Sequence, residues 1–401
     1  MDGDGRPALT SPAPPGGPPL DGLPPEVREE VAPPTPLRRA LKMLLHVAGA
    51  LLLGAILWKV PWNDRVFLKE GGELRGTILS RTAGEVEFRV SGEESPRRFR
   101  AEELKVRDRG LPAAEEGVLT LLHRMSFVPT ALVFLYVIGA GVAAGLRWRL
   151  LLRTQGIPIS AKEATALTFL GNFFNQVVPG GLVGGDVIKS VYAARGREKA
   201  AHAVVSVFVD RLLGLFGTVI LACVALAPRF DDLRFHGHAL VAYGILIGGT
   251  IGGAAVLSRR IRAAVKMESW VPKVPFVGSF LVEVDEAVLS FRERKSVILS
   301  GLGISVLIHA GWCMANALLG HMLGVDLEVS AWFAVIPPIL IVAVLPLLPG
   351  GWGLGEASYV FFLGLVGVPP APALAISVLG RSIQMLCALP GGIVFLGRRN
   401  G

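Results

Sequence analysis

The stretch PGGLVGGDVIKS, Pro179–Ser190, decides how this chain is interpreted. It places one proline, four glycines, an aspartate and a lysine directly after an apolar run. Proline interrupts a helix, and an ionised side chain at the bilayer centre costs at least about 2.5–3.5 kcal/mol on insertion scales. The run before it, residues 164–178, has fifteen residues, fewer than the roughly 20 that a spanning helix needs. Basic residues flank both sides, so both flanks are expected in the cytoplasm. The pattern predicts a re-entrant hairpin that enters from the cytoplasm and turns at Pro179, Gly180 and Gly181.

The same pattern recurs in the second half of the chain, where PGGWGLGE occupies residues 349–356. Five pairs of positions coincide: Pro179 with Pro349, Gly180 with Gly350, Gly181 with Gly351, Gly185 with Gly355, and Asp186 with Glu356. In the same ungapped register Arg211 falls on Arg381, so each arginine follows its acid at the same spacing.

The apolar run that leads into the second copy follows an acidic segment and is expected to start outside. The two hairpins would then enter from opposite sides. Their turns are expected to contain Pro179, Gly180, Gly181 and Gly185 in the first copy, and Pro349, Gly350, Gly351 and Gly355 in the second. Such inverted repeats, here about 126–257 and 297–397, are typical of transporters with a binding site near the bilayer midplane.

The composition indicates the class of protein. Of 401 residues, 52% are hydrophobic and only 18% are charged, whereas soluble domains carry about 25% charged residues. The formal charge of +8 comes from Lys and Arg clusters beside apolar runs, which the positive-inside rule assigns to cytoplasmic loops. No nucleic-acid recognition motif accompanies this charge. We therefore expect a multi-pass membrane protein that does not bind nucleic acid.

The sequence offers no pattern for a metal site or a cofactor. The three cysteines, Cys223, Cys313 and Cys387, lie in apolar runs and are expected to be small buried hydrophobic residues. The P-loop pattern that binds ATP phosphates is absent from the sequence. No cofactor, metal or catalytic set is expected, and the chain is interpreted as a protein that is not an enzyme.

Four segments organise the chain. Residues 1–36, rich in proline and glycine, are expected to form a disordered cytoplasmic tail. Residues 37–60 contain a first transmembrane helix that follows basic residues. Residues 61–125 alternate apolar and polar residues between EGGE, TAGE and SGEE turns, which predicts an extracytoplasmic, SH3-like β insert. Residues 126–397 form the main membrane domain.

The predicted fold is an all-α polytopic membrane protein. It has about six spanning helices and two inverted re-entrant hairpins, with the small β-barrel-like insert between the first two spans. Basic residues precede the first span, and Arg398 and Arg399 end the last one. Both termini are therefore expected in the cytoplasm, with the protein in the cell (inner) membrane.

Two acids and two arginines are the first candidates for a substrate path: Asp186, Arg211, Glu356 and Arg381. Both acids begin helical segments after glycine turns, where the helix dipole stabilises a negative charge by roughly 0.3–1 kcal/mol. That is less than the cost of inserting the charge, so each acid is expected to have a partner. An arginine can clamp either a carboxylate or a phosphate with two hydrogen bonds. Two alternatives stay open: a salt bridge within the protein, or a clamp on a lipid headgroup.

Four further polar residues are candidates: Asn172, Asn175, Asp210 and Lys189. The asparagines precede the first turn, where they either line a cavity or satisfy freed backbone groups. Asp210 adjoins Arg211 but points elsewhere, and the second copy has Gly380 at its position. Lys189 lies three residues after Asp186 on the same helix face, so it is expected to pair with Asp186 or to join the path.

On these motifs the chain resembles the transmembrane region of lysylphosphatidylglycerol synthases, a family of flippase-like integral membrane proteins. The resemblance covers about residues 125–397 and rests on NFFNQVVPGGLVGGD, VDRLLGL, LPGGWGLGEA and a final LPGG. Members are associated with moving anionic phospholipids, aminoacylated lipids or polyprenyl-linked sugars across the membrane. The resemblance therefore implies lipid translocation, whereas the insert 61–125 departs from the family pattern.

The expected function is flippase-like movement of phospholipid or polyprenyl-linked headgroups between leaflets, passive or ion-coupled. The expected partners are membrane lipids with anionic or phosphate-bearing headgroups. One alternative is an integral-membrane accessory or enzyme of lipid-linked glycan or aminoacyl-lipid metabolism. Another is a non-transporting scaffold whose insert binds an envelope partner.

Overall fold

The computed structural model describes residues 62–82, 84–105, 113–123, 125–177, 184–195, 200–264, 278–343 and 353–399. The predicted tail 1–36 and the predicted span 37–60 lie outside these residues. Six of the predicted turn residues lie outside them as well: Pro179, Gly180, Gly181, Pro349, Gly350 and Gly351. The described chain is mostly helical, with a small antiparallel sheet before the helices of the membrane domain.

Five short strands form the insert. They are β1 Asp64–Phe67, β2 Glu73–Arg81, β3 Glu85–Val90, β4 Arg97–Arg100 and β5 Ala114–Glu115. They pair antiparallel in the order β4-β3-β2-β1-β5. The expectation of a β insert is confirmed, but the expectation of a barrel is wrong. The sheet is open, because the two-residue β5 pairs with β1 at one edge while β4 ends the other edge.

A buried carboxylate ties the insert to the chain that follows it. Asp64 has no solvent exposure, although it is charged. Its Oδ2 accepts the backbone N–H of Ile78 in β2 at 2.6 Å, and its Oδ1 accepts that of Gly117 at 2.6 Å. Charge-assisted hydrogen bonds of this kind are roughly twice as strong as neutral ones. Asp64 therefore holds β1, β2 and the segment leading into the first helix together.

Twelve α-helices follow. They are α1 Val118–His123, α2 Phe127–Thr154, α3 Ala161–Val177, α4 Gly184–Ala194, α5 Ala200–Leu226, α6 Leu233–Leu257, α7 Arg259–Ala264, α8 Gly278–Ser290, α9 Lys295–Met322, α10 Val329–Ala343, α11 Leu354–Gly364 and α12 Pro370–Arg399. This number counts the described residues alone.

Five of these helices, α2, α5, α6, α9 and α12, are long and apolar enough to cross a membrane. At a rise of about 1.5 Å per residue, helices of 25 or more residues exceed the roughly 30 Å hydrocarbon core. Large apolar side chains remain exposed along α2, among them Leu132, Leu135 and Ile138, as expected of a surface that faces lipid. The chain is therefore a multi-pass membrane protein.

The internal repeat of the sequence is reflected in where two short helices begin and end. α4 spans residues 184–194 and α11 spans 354–364, so the two helices are equally long and keep the register of the repeat at both ends. Each follows a helix of 17 or 15 described residues, α3 or α10, and each precedes a long helix, α5 or α12. α3 packs against α4, and α10 packs against α11. The re-entrant course and the opposite orientation of the two copies stay predictions.

Two of the predicted turn residues belong to these short helices. Gly185 lies in the first turn of α4, and Gly355 lies in the first turn of α11. The expectation that these two glycines form the turns is therefore wrong. Both are buried. A Cβ on Gly185 would overlap the backbone of Gly171, and one on Gly355 would overlap the end of the Arg381 side chain.

Close helix contacts depend on glycine at two further positions. A Cβ on Gly391 of α12 would overlap the backbone of Phe169 in α3. A Cβ on Gly217 of α5 would lie 2.5 Å from the side chain of Ser305 in α9. Small residues let membrane helices approach this closely. The three cysteines are buried, as the sequence predicts.

Candidate functional site

The acid and the arginine of the first repeat form an ion pair. Asp186 lies in the first turn of α4, and Arg211 lies in the middle of α5. Arg211 Nε donates to Asp186 Oδ2 at 2.5 Å. The Arg211 side chain is 42% exposed, whereas that of Asp186 is 15% exposed. The pair is therefore open to a cavity on the arginine side.

Gly185 allows α4 to approach α3 closely enough to place this pair. A Cβ on Gly185 would overlap the carbonyl oxygen of Gly171 and would lie 2.5 Å from Asn175 Oδ1. The Oδ1 atom of Asn175 accepts the N–H of Gly185 at 2.9 Å. This N–H is one of the donors that a helix N-terminus leaves without an internal partner. Asn175 therefore satisfies a backbone group, one of the two roles predicted for it.

The second repeat forms the equivalent pair in a more buried setting. Glu356 Oε1 lies 2.9 Å from Arg381 Nε, with side-chain exposures of 1% and 14%. The other oxygen, Oε2, accepts the N–H of Gly353 at 2.6 Å, so Glu356 also caps α11. Gly353 has φ +84°, a left-handed conformation that glycine adopts without strain. Gly355 packs against the Arg381 guanidinium, where a Cβ would overlap Nη2.

Asp210 lies between two cations in a buried triad. Arg147 Nε donates to Asp210 Oδ1 at 2.8 Å, and Lys189 Nζ lies 3.4 Å from Asp210 Oδ2. All three side chains are nearly inaccessible. Lys189 therefore pairs with Asp210, and the expected pairing of Lys189 with Asp186 is wrong. Lys189 belongs to α4 and Asp210 belongs to α5. Because the contact joins two helices, residue spacing within α4 could not predict it.

The triad connects to further helices through its cations. Arg147 Nη1 donates to Ser305 Oγ of α9 at 2.6 Å. The Lys189 ammonium lies 4.3 Å from the centre of the Trp148 ring, a cation–π contact. Arg147 is a site residue that sequence reasoning missed, because it stands with Arg149 and Arg153 as a basic flank. One sequence signal could have identified Arg147. Gly141, Gly145 and Trp148 recur at helical spacing, which indicates that this end of α2 packs against other helices.

Two adjoining cavities lie beside these groups. The first, which we call the anion cavity, has a volume of about 300 Å³ and is lined by Arg147, Lys189, Asp210, Asp186 and Arg211. Among the described residues its lining carries three cations and two carboxylates, a formal charge of +1. The second, the amide cavity, has a volume of about 320 Å³ and is lined by the amides of Asn172, Asn175, Gln176 and Gln384.

The two cavities share three polar residues, Asn172, Arg211 and His309. Arg211 therefore stands at the junction between them. Asn172 and Asn175, candidates from the sequence, both line the amide cavity. Glu356 and Arg381 line neither of these two cavities, so the repeat places one ion pair at the cavities and the other in the packed interior.

Within the described residues, no three His, Cys, Asp or Glu side chains are grouped so that they could hold a metal ion. The polar groups of the described residues that line the two cavities include cations, carboxylates, side-chain amides and a histidine, beside aromatic rings.

Residues 116–391 match the family described as the lysylphosphatidylglycerol synthase TM region. A UPF0104 membrane protein of Methanothermobacter thermautotrophicus is 24% identical over 256 residues, which cover 60% of this chain and 76% of that protein. The UPF0104 membrane protein PH1989 of Pyrococcus horikoshii is 22% identical over 63% of this chain and 82% of its own length. The glycosyltransferase AglD of Haloferax volcanii is 26% identical over 62% of this chain and 45% of that protein. No solved structure matches the chain.

Proposed function

The chain belongs to the family of the lysylphosphatidylglycerol synthase transmembrane region, and we propose that it moves lipids with phosphate-bearing headgroups between membrane leaflets. The observation that carries the proposal is the position of Arg211. This arginine stands at the junction of two cavities, is held by Asp186, and exposes 42% of its side chain.

The charge of the anion cavity supports an anionic ligand. Its three cations and two carboxylates give a formal charge of +1, which a single phosphodiester would neutralise. An arginine guanidinium has five N–H donors in a planar fork that matches phosphate oxygens. A headgroup phosphate would therefore compete with Asp186 for Arg211, and the ion pair would re-form when the headgroup leaves.

The repeat suggests how the site would open to each leaflet in turn. In transporters built from inverted repeats, one repeat rocks against the other around a site at their interface. We assign the pair of Asp186 and Arg211 to the moving polar path. The buried pair of Glu356 and Arg381 anchors α11 to α12. Acyl chains would stay in the lipid during the exchange, and movement would be passive or coupled to an ion gradient. The protein would reside in the cell (inner) membrane with both termini in the cytoplasm.

Reconstituted transport tests this proposal. Purified protein is reconstituted into liposomes that contain phosphatidylglycerol with a fluorescent label on one acyl chain. Added dithionite quenches the label in the outer leaflet only, so movement is measured as the extra fluorescence lost when inner-leaflet lipid reaches the outer leaflet. We expect transport by the unaltered protein and its loss in Arg211→Gln. Arg294→Gln is the control, because Arg294 is exposed and lines neither cavity. Liposomes that move no phosphate-bearing lipid under either a proton or a sodium gradient would refute the proposal.

A second candidate is a role in lipid-linked glycan metabolism, favoured by the likeness to the glycosyltransferase AglD. Transport leaves the lipid chemically unchanged, whereas an enzyme alters it. Mass spectrometry of the liposome lipids after the transport assay separates the two. A lipid of altered mass, formed only when the protein is present, would favour the enzyme.

The insert 61–125 is proposed to dock an envelope partner instead of taking part in transport. Deleting it should leave lipid movement intact. Loss of transport on deletion, in protein that still purifies as a single species, would assign the insert to the transport machinery.

A further inference from the structure

We infer that the amide cavity binds the uncharged, hydroxyl-bearing part of a ligand whose phosphate lies in the anion cavity. The ligand would then be a phosphate ester of a sugar or polyol, and not an aminoacylated lipid. That the ligand is a lipid rests on the proposed function. The inference adds the class of headgroup that the same site accepts.

The amides of this cavity have hydrogen-bonding capacity to spare. Within the described part of the chain, the side chains of Asn172, Gln176 and Gln384 make no hydrogen bond to another protein group. Asn175 uses its Oδ1 for the N–H of Gly185 and keeps its amide donors. A side-chain amide both donates and accepts, as a hydroxyl group does. Several amides around one space therefore match a ligand with several hydroxyl groups.

His309 adds an acceptor to this set. Its Nδ1 lies 2.7 Å from the carbonyl oxygen of Ser305, which can only accept, so Nδ1 carries the proton in this contact. In the neutral imidazole, Nε2 is then an acceptor. His309 therefore offers a hydroxyl group a partner without adding charge.

Aromatic rings form the apolar part of the same cavity. Tyr136 and Trp312 line it and are stacked, with ring centroids 6.2 Å apart and an interplanar angle of 28°. The Tyr136 hydroxyl donates to the carbonyl of Ile308, which holds the ring in place. The C–H face of a sugar or polyol can pack on such rings while its hydroxyls reach the amides. A volume of about 320 Å³ is at the small end of ligand sites, about 300–1,000 Å³, and suits one ring or a short polyol.

The charges argue against an aminoacylated headgroup. Arg211 is the charged residue that lines the amide cavity, and no carboxylate among the described residues lines it. In the anion cavity, Asp186 is held by Arg211, and Asp210 is held by Arg147 and Lys189. A phosphate that displaces Asp186 from Arg211 would free a carboxylate in the anion cavity alone, because Asp186 does not line the amide cavity. An ammonium group placed in the amide cavity would therefore meet Arg211 and no carboxylate of the described residues. Like charges brought together in a poorly hydrated site repel strongly.

Three lipids with the same labelled acyl chains test the inference in liposomes: phosphatidylglycerol, phosphatidic acid and lysylphosphatidylglycerol. We expect the unaltered protein to move phosphatidylglycerol at least about tenfold faster than either of the others, the ratio that one lost hydrogen bond gives. Gln384→Leu should lower the ratio of phosphatidylglycerol movement to phosphatidic acid movement to about one. Ser382→Ala is the matched control on α12, because Ser382 bonds to its own helix at Val378.

A second variant keeps the inference testable if Gln384→Leu folds poorly. Gln384→Glu adds a carboxylate to the amide cavity and should raise movement of lysylphosphatidylglycerol by about tenfold or more. Equal rates for the three lipids in the unaltered protein would overturn the inference. So would a Gln384→Glu variant that folds and still excludes the lysyl lipid.

Binding in detergent separates this inference from the proposed function. If no lipid moves, the proposed function fails, and binding of glucose 1-phosphate and inorganic phosphate to the purified protein decides the inference. Tighter binding of the sugar phosphate, lost in Gln384→Leu, supports the inference with a free sugar phosphate as the ligand. Equal binding of the two, or binding of neither, overturns it.

Discussion

Replacing Asp210 by asparagine should destabilise the membrane domain more than any other single neutralisation in the cavities. The carboxylate is bound by Arg147 at 2.8 Å and by Lys189 at 3.4 Å, and all three side chains are at least nine-tenths buried. Asn keeps the shape and one hydrogen-bond acceptor but removes the negative charge. The variant would leave two buried cations side by side with no counter-charge.

The magnitude follows from the burial. Removing one partner of a buried ion pair costs about 3–5 kcal/mol, because the remaining charge is left without compensation. Arg147 keeps its bond to Ser305, and Lys189 keeps its contact with the Trp148 ring, which places the cost near the lower end, about 3 kcal/mol. At roughly 2–4 °C per kcal/mol for a large domain, the melting temperature should fall by about 6–12 °C.

Thermal unfolding of the purified protein in detergent, followed by tryptophan fluorescence, measures this shift. Asp186→Asn is the matched control, because its partner Arg211 is 42% exposed. A pair open on one side should cost less to break than a fully buried one, so the control should lose clearly less than Asp210→Asn. Adding Lys189→Met to Asp210→Asn should recover part of the loss, since it removes one of the two unpaired cations. Equal, small shifts for Asp210→Asn and Asp186→Asn would refute the reasoning from burial.

Two further predictions concern glycine packing and the insert. Gly185→Ala should lower the melting temperature and slow transport, because its Cβ would overlap Gly171 and displace α4, at a cost of about 1–3 kcal/mol. Gly184→Ala, whose Cβ has no heavy atom within 4 Å, should be neutral or slightly stabilising in the same two assays. Asp64→Asn should lower hydrogen-exchange protection across β1 and β2 in the intact protein, because it weakens two charge-assisted bonds. The exposed Glu70→Gln should not do so, and equal loss in both variants would contradict the assigned role of Asp64.

Much of the fold and half of the site could be predicted from the sequence, because the signals are local. Long apolar runs predict about six spans, and five helices of the described residues are long and apolar enough to cross a membrane. The glycine turns predict that each acid begins a helical segment, and each acid lies in the first turn of α4 or α11. The spacing from acid to arginine recurs in both copies, but it leaves open whether the arginine binds the acid or a headgroup, and the structure pairs each arginine with its acid. Alternation and turn residues predict the strands of the insert, but the length of β5, which leaves the sheet open, carries no such signal.

The remainder of the site depends on contacts between helices that are far apart in the chain. Arg147 meets Asp210 across 63 positions and Ser305 across 158, so neither contact has a local pattern. The same packing decides that the pair of Asp186 and Arg211 borders the cavities while the pair of Glu356 and Arg381 is buried, although the two pairs match in sequence. The sequence alone determined membrane character, the repeat and the charged residues in it. Only the tertiary structure decided which charges neutralise one another and which line a cavity, because burial and distance depend on how the helices pack and not on residue order.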